Sequence, residues 1–351
     1  MRILFDARSV RTTTGSYVLN GLTANWARDA RVERVLAAVA RPDIALPAGV
    51  EPVTLQNGGS WIRHVAHDLP KAADRCRADV IFSTNATGPR DPRTVLYFQD
   101  LFHFHHFDGF LPLRAQLFET GRGLWRTFAA PHSGLGVAVS HVIAEEAKRE
   151  VGKLPVVEIP NGVDTASIRW TGEEDTVYVT GGTGSHKSED TALRAWARLA
   201  RRRPPVGVLE IGGVEPATRR AELLREANDL QLGESVVIQG ALAREVYLER
   251  IARARIVVSC SRLESFGLPV AEAIAMGAPV LCSDISAHRE LLARGGVGET
   301  FPAGDHDALA TRLRTALDGD LPRRLTSAPL GWTWQTRASE HIDAYQSYLG
   351  A

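Results

Sequence analysis

The chain runs to 351 residues, with 41 Lys plus Arg against 41 Asp plus Glu and 44% hydrophobic side chains. That length implies two domains rather than one core, and a formal net charge of zero excludes a general nucleic-acid binder, which needs surplus cations to meet phosphates. Three scattered cysteines without a CxxC spacing argue against a disulfide framework or a zinc site, and with no signal peptide or membrane span in the sequence they imply a cytoplasmic protein.

Arg2–Asp6 reads as a buried strand. A turn at Thr12–Gly15 follows, then a helix with Val18, Leu22 and Trp26 on one face. Further strands are predicted at 35–39, 80–83, 95–98 and 135–139, with helices around 61–76, 112–128 and 141–151. Strands alternating with helices imply parallel pairing with helical crossovers, a doubly wound α/β sheet.

The pattern restarts after strand 156–159 and the turn-rich Pro160-Asn-Gly-Val-Asp164. A second series follows: strands 177–180, 206–211, 236–238, 256–260 and 280–283, with helices 188–202, 216–230, 244–254, 270–276 and 307–318. Trp332–Leu349 is one more amphipathic helix beyond the Pro329-Leu-Gly331 break. The expected organisation is an N-terminal domain 1–163, a C-terminal domain 164–331 and a helix 332–351 that returns to the first domain. In such sheets ligands sit beyond the carboxyl ends of the strands, so the expected site is a cleft between two lobes.

Residues 256–284 carry the clearest chemistry. A strand leads into Ser261-Arg-Leu-Glu264, then Ser265-Phe-Gly-Leu-Pro269, then a helix opening at Val270. Gly267 and the first helical turn present unpaired N–H groups and the positive end of a dipole, a seat for a diphosphate. Glu272 is expected in that first turn, where a carboxylate can accept from both vicinal hydroxyls of a ribose, and Glu264 nearer a sugar. Taken singly, Glu272 could merely complement the helix dipole, and Glu264 could be a solvated loop acid.

A Glu, seven residues and a second Glu around Phe-Gly-Leu-Pro resembles the signature of the family 4 glycosyltransferases, retaining enzymes of the two-Rossmann GT-B fold. Ala273–Val280, Ser283–Ser286, Pro160–Asp164, Gly181-Gly-Thr-Gly-Ser-His-Lys187 and the Trp334 helix are similar to that family in the same order. The resemblance implies that Glu272 holds the donor's ribose, while Glu264, Phe266, Gly267 and Leu268 meet the transferred sugar and its phosphates. It implies donor contacts at Gly182 and Gly240 and a diphosphate cation at Lys187. His186 stands where the family usually has Arg, with Arg262 as a substitute cation. Thr14-Gly15-Ser-Tyr17 looks like the family's N-terminal glycine loop. In Tyr97-Phe-Gln99-Asp100-Leu101, Gln99 replaces the family's histidine and cannot exchange a proton near pH 7.

His103, His105 and His106 lack the spacing of a metal site, and Asp305 or Asp307 is expected to cap helix 307–318. The implied activity transfers a hexose or deoxyhexose from a nucleoside-diphosphate sugar to a glycan, lipid-linked or small-molecule acceptor, with no metal or cofactor and no nucleic-acid partner. Basic and apolar side chains across Leu111–Phe128 would suit peripheral membrane contact. The competing expectations are a nucleotide-sugar epimerase on the same fold and a catalytically silent nucleotide-sugar binder.

Overall fold

Apolar runs too short for helices form the strands of two parallel sheets. The computed structural model describes residues 1–8, 13–39, 45–55, 60–84, 86–99, 113–165, 168–202, 207–295, 297–319 and 332–350. They divide into two units, Met1–Gly162 with Gly331–Ala351, and Val163–Leu330.

The first unit holds seven strands: β1 (Arg2–Asp6), β2 (Arg34–Val39), β3 (Val50–Thr54), β4 (Val80–Ser83), β5 (Thr94–Phe98), β6 (Leu135–Ala138) and β7 (Val156–Glu158). Their order is β3-β2-β1-β4-β5-β6-β7, and every pairing is parallel. The second unit holds β8 (Glu174–Thr180), β9 (Val208–Gly212), β10 (Val236–Ile238), β11 (Ala254–Ser259), β12 (Val280–Ser283) and β13 (Gly298–Phe301). These run β10-β9-β8-β11-β12-β13, again all parallel. Inner strands such as β4, β5 and β12 are buried along their whole length, which is why they read as continuous apolar runs. Each sheet changes direction once, between β1 and β4 and between β8 and β11. Loops beyond the carboxyl ends of those strand pairs diverge and leave room for a ligand.

The two strands absent from the sequence reading, β3 and β13, are both sheet edges. Their sequences, Val-Glu-Pro-Val-Thr and Gly-Glu-Thr-Phe, carry the proline, glycine and charge that an edge tolerates. The helix Ser286–Ala293 was also missed, being only two turns long. The expected turn at Thr12–Gly15 is corrected: helix Thr13–Trp26 already contains Gly15. Burial of Val18, Leu19, Leu22 and Trp26 secures that helix, whose start overrides the weak propensity of Thr and Gly. Asp305 is the cap of helix His306–Asp318, its Oδ1 accepting from the N–H groups of Asp307 and Ala308 at 3.0 and 2.9 Å. No helix among the described residues is long and apolar enough to cross a membrane.

The last helix, Trp334–Leu349, is part of the first unit because its aromatic face completes that core. The Trp334 ring lies so close over Gly21 and Gly162 that a Cβ on either would come within 2.3 and 2.5 Å of it. Trp26 Nε1 donates to the Ala338 carbonyl at 3.2 Å. His341 sits among Trp26, Phe82, Tyr97 and Tyr345, with ring centroids 5.7 to 5.9 Å away. Its Nδ1 shares a 2.8 Å hydrogen bond with the Tyr345 hydroxyl. Burial, with a smaller push from Arg337, lowers the His341 pKa to about 3.

An unfolded histidine titrates near 6.5. Between that value and about 3 the unfolded chain therefore binds a proton that the native ring refuses, so the contribution of His341 to stability is full above pH 6.5 and lost as pH falls. The loss is about 1.4 kcal/mol per pH unit. Urea midpoints at pH 7.5 and 5.5 should show a smaller acid loss for His341→Gln than for the parent, by about 1.4 kcal/mol. An equal pH slope in both proteins would show that this ring is not what the acid titrates.

Candidate active site

The topology of the second sheet explains how two residues 77 apart in sequence meet. The loop after β8 carries Gly181–Lys187, the loop after β11 carries Ser261–Gly267, and β8 and β11 flank the point where strand order reverses. Lys187 ends a short 3-10 turn, Ser185–Lys187, and its Nζ lies 2.5 Å from Glu264 Oε1. Both side chains are 14% exposed. Gly182 lies beneath the Lys187 side chain, and its carbonyl accepts from the Glu215 N–H at 3.2 Å.

Gly267 caps the next helix with φ +84°, a conformation that glycine enters without strain. The helix runs Leu268–Met276 with Pro269 in its first turn, where a missing N–H costs nothing. The first intrahelical bond is donated by Ala271 to the Gly267 carbonyl at 3.0 Å, so the helix gives the Leu268 and Val270 N–H groups no partner. This is the anion-binding end of a helix. Phe266 is buried beside it.

The expected place of Glu272 is corrected. The helix opens two residues before Val270, because Gly267 rather than Pro269 breaks the chain direction, and Glu272 falls in the second turn. It is only 2% exposed. Tyr247 donates to its Oε2 at 2.8 Å, and Arg244 Nη1 lies 2.5 Å from its Oε1.

The two acids differ in charge behaviour. Burial pushes the Glu264 carboxyl up, but the Lys187 ammonium pulls it back, leaving it below the ordinary carboxylate range. For Glu272 burial outweighs Arg244 and Tyr247, and its pKa stays raised. His186 is buried, and burial together with Lys187 lowers its pKa. At neutral pH it is therefore uncharged and does not replace an arginine's cation. Its carbonyl accepts from the Arg262 N–H at 2.7 Å, and the exposed Arg262 guanidinium lies beside Gly304.

Other expected residues belong to other elements. Gly240 borders the loop after β9, its carbonyl accepting from the Gly213 N–H at 3.1 Å. In the first unit Gln99 is half-buried just past β5, and Gly15 is in the opening turn of its helix. Asp100, Leu101, His103, His105 and His106 lie outside the described residues.

Three contributors escaped the sequence reading. Arg244 and Tyr247 come from the helix Arg244–Arg253, whose facing side only the packed structure reveals. His288 is fully buried behind Gly267, with Nδ1 2.9 Å from the Ser283 carbonyl. That contact fits a proton on Nδ1 of a neutral ring, since burial lowers its pKa. A histidine two residues past Ser286 gives no spacing signal of its own.

Residues 164–328 match the family described as glycosyl transferases group 1. A phosphatidyl-myo-inositol mannosyltransferase of Mycolicibacterium smegmatis is 28% identical over 236 residues, covering 61% of this chain and 58% of the relative. The chain thus spans less than three fifths of the length of that curated relative. Sucrose-phosphate synthase from Thermosynechococcus elongatus has a similar fold, with a TM-score of 0.72 at 17% identity over 99% of this chain and 96% of that one. Anabaena HepE in complex with UDP-glucose follows at 0.70 and 17%, over 100% and 98%. The glycosyl transferases group 1 family thus matches the second unit almost end to end, and the chain as a whole shares the GT-B fold of these structures.

Proposed function

We propose that the protein is a glycosyltransferase that moves a hexose or deoxyhexose from a nucleoside-diphosphate sugar to an acceptor hydroxyl, with retained anomeric configuration and without a metal. The observation that carries this assignment is the Lys187–Glu264 pair, held at 2.5 Å next to the open end of the Leu268–Met276 helix. A compact ammonium and a helix N-terminus together suit the negative charge that grows on a departing diphosphate. They supply the charge that a metal would otherwise bring. The family match of the second unit and the mannosyltransferase similarity support sugar transfer, and the UDP-glucose in HepE supports a nucleotide-sugar donor.

In the transfer step the bond from the anomeric carbon to the diphosphate oxygen breaks. The acceptor oxygen bonds to that carbon on the same face, and the acceptor proton passes to the departing phosphate. No enzymic base is required, so Gln99 is compatible with catalysis as a hydrogen-bonding amide. Glu264, kept ionised by Lys187, supports positive charge at the anomeric carbon. On donor binding Lys187 turns from Glu264 to the diphosphate, and Glu272 holds the ribose. The first unit selects a glycan, a lipid-linked acceptor or a small molecule. Three free cysteines fit a reducing cytoplasm.

Peripheral membrane contact belongs to the same assignment. On helix Leu113–Ala129, Leu117, Leu124 and Phe128 are 65%, 71% and 52% exposed at spacings that share one face. Arg90 lies 4.2 Å from the Phe128 ring centroid, giving an apolar face edged by cation that suits an anionic lipid surface.

Lys187→Ala and Glu264→Gln should each lower kcat/KM about 10²- to 10³-fold while leaving the circular dichroism spectrum unchanged. Folded variants that transfer sugar at the parental rate would refute the assignment. In vesicle sedimentation the parent should pellet with phosphatidylglycerol and not with phosphatidylcholine, and Leu117→Glu with Leu124→Glu should abolish pelleting. Equal behaviour of parent and double variant would remove the membrane contact.

A further inference from the structure

The Glu272 carboxylate takes two partners from one helix. Arg244 and Tyr247 are three residues apart on Arg244–Arg253, a spacing that places them on a shared face. One meets Oε1 at 2.5 Å and the other Oε2 at 2.8 Å. The donors are themselves fixed. Arg244 Nη2 donates to the Asp164 carbonyl at 3.0 Å, and the guanidinium carbon lies 5.6 Å from the centroid of the Tyr247 ring. The Tyr247 ring also packs edge-on against Tyr178 of β8 at 6.3 Å.

Each oxygen of an ionised carboxylate accepts about two hydrogen bonds. Arg244 and Tyr247 use one site on each, so each keeps one. Two neighbouring acceptors with no donor between them are the complement of a vicinal diol. A protonated Glu272 would lose that symmetry, because one oxygen would become a donor. Glu272 is buried enough to favour the proton, and burial already raises its pKa with Arg244 in place. The groups facing it are Arg244 and Tyr247 from their helix and Tyr178 from β8. Behind Tyr178 lies Glu210 of β9, whose charge is met by Arg250 at 3.5 Å. Among the described residues, Arg244 is the cation in contact with Glu272.

Resting on the donor-site assignment above, we propose that Arg244 and Tyr247 are positioning residues that hold Glu272 as a carboxylate aimed at both hydroxyls of a ribose, and so make the site selective for ribonucleoside over 2′-deoxyribonucleoside diphosphates. Lysine at 244 would keep the charge without the fixed planar fork. Glutamine would remove the charge at similar size.

Titration calorimetry on the full chain with UDP, GDP and their 2′-deoxy counterparts, at pH 6.0 and 8.5, tests this. The parent should bind a ribose form at least tenfold tighter than its deoxy form at both pH values. Arg244→Gln should lose at least tenfold in ribose-form affinity at pH 6.0 and recover part of it at pH 8.5, since rising pH favours the ionised Glu272, with deoxy-form affinity held within threefold. Tyr247→Phe should narrow the ribose preference about threefold, and Arg244→Lys should retain part of it at pH 6.0. A merely structural role would weaken both forms equally and show no recovery with pH. A parental ratio near one, or an Arg244→Gln protein with parental ratios at both pH values, overturns the proposal. If the parent binds neither UDP nor GDP, the donor site itself is misassigned and this inference falls with it. Binding by the parent with unchanged ratios in Arg244→Gln and Tyr247→Phe sinks the inference alone.

Discussion

A carboxylate taken out of water must be met by a cation or surrender its charge, and the second unit holds two such acids a few residues apart. Glu264 and Glu272 stand on either side of the turn at Gly267. One is met by Lys187 from the loop after β8, the other by Arg244 from the helix before β11. Neither meeting is local in sequence. Both follow from a parallel sheet whose strand order reverses between β8 and β11, which brings the Lys187 and Glu264 loops to the same carboxyl edge. The conformation of Gly267 then decides where the helix starts. That start separates the acid on the loop from the second acid inside the helix.

Much of this was legible in the residues. β1, β4, β10 and β12 have the bounds that their apolar runs suggest, since strands covered on both faces leave little polar interruption. β3 and β13 were hidden by Pro52, Glu51, Gly298 and Glu299, which an edge accepts and a central strand does not. Helix starts were misjudged at Thr13 and Leu268. Both openings contain Gly or Pro, which mark a turn and a first helical turn alike. Glu264 and Lys187 were visible because they sit in glycine-bearing loops directly after strands, and Glu272 because it follows the second of those loops by one helical turn. Arg244, Tyr247 and His288 were not, because a lone polar residue on an amphipathic helix shows its direction only after packing. Gly15 moved from an expected loop into a helix, yet in the opening turn its N–H still lacks an intrahelical partner.

The first unit follows the same logic with different side chains. Its returning helix brings Trp334, His341 and Tyr345 back onto the core from the far end of the chain. Trp334 is admitted only because Gly21 and Gly162 have no Cβ. Gly162 thus serves two needs: it closes the first unit's sequence ahead of Val163 and makes room for the ring that anchors the last helix. The cost is a neutral histidine in a dry aromatic cluster. The cluster tolerates it because the Tyr345 hydroxyl satisfies Nδ1 and because an uncharged imidazole packs like any other ring.

The choice of cation beside each buried acid follows from what each acid must do. Lys187 carries a compact charge on a flexible stem and can turn from Glu264 to a diphosphate without dismantling a planar array. Arg244 offers a rigid fork, one arm on Glu272 and the other on the Asp164 carbonyl, so it is built to stay. A lysine at 244 would leave the ribose seat loosely aimed. An arginine at 187 would spread its charge over a plane that a turn after Gly184 has little room to reorient. In the proposed donor complex the mobile cation would face the bond that breaks, and the fixed one the part of the donor that leaves unchanged. Glu264 is the acid whose pKa is pulled down, because the Lys187 ammonium stands against it.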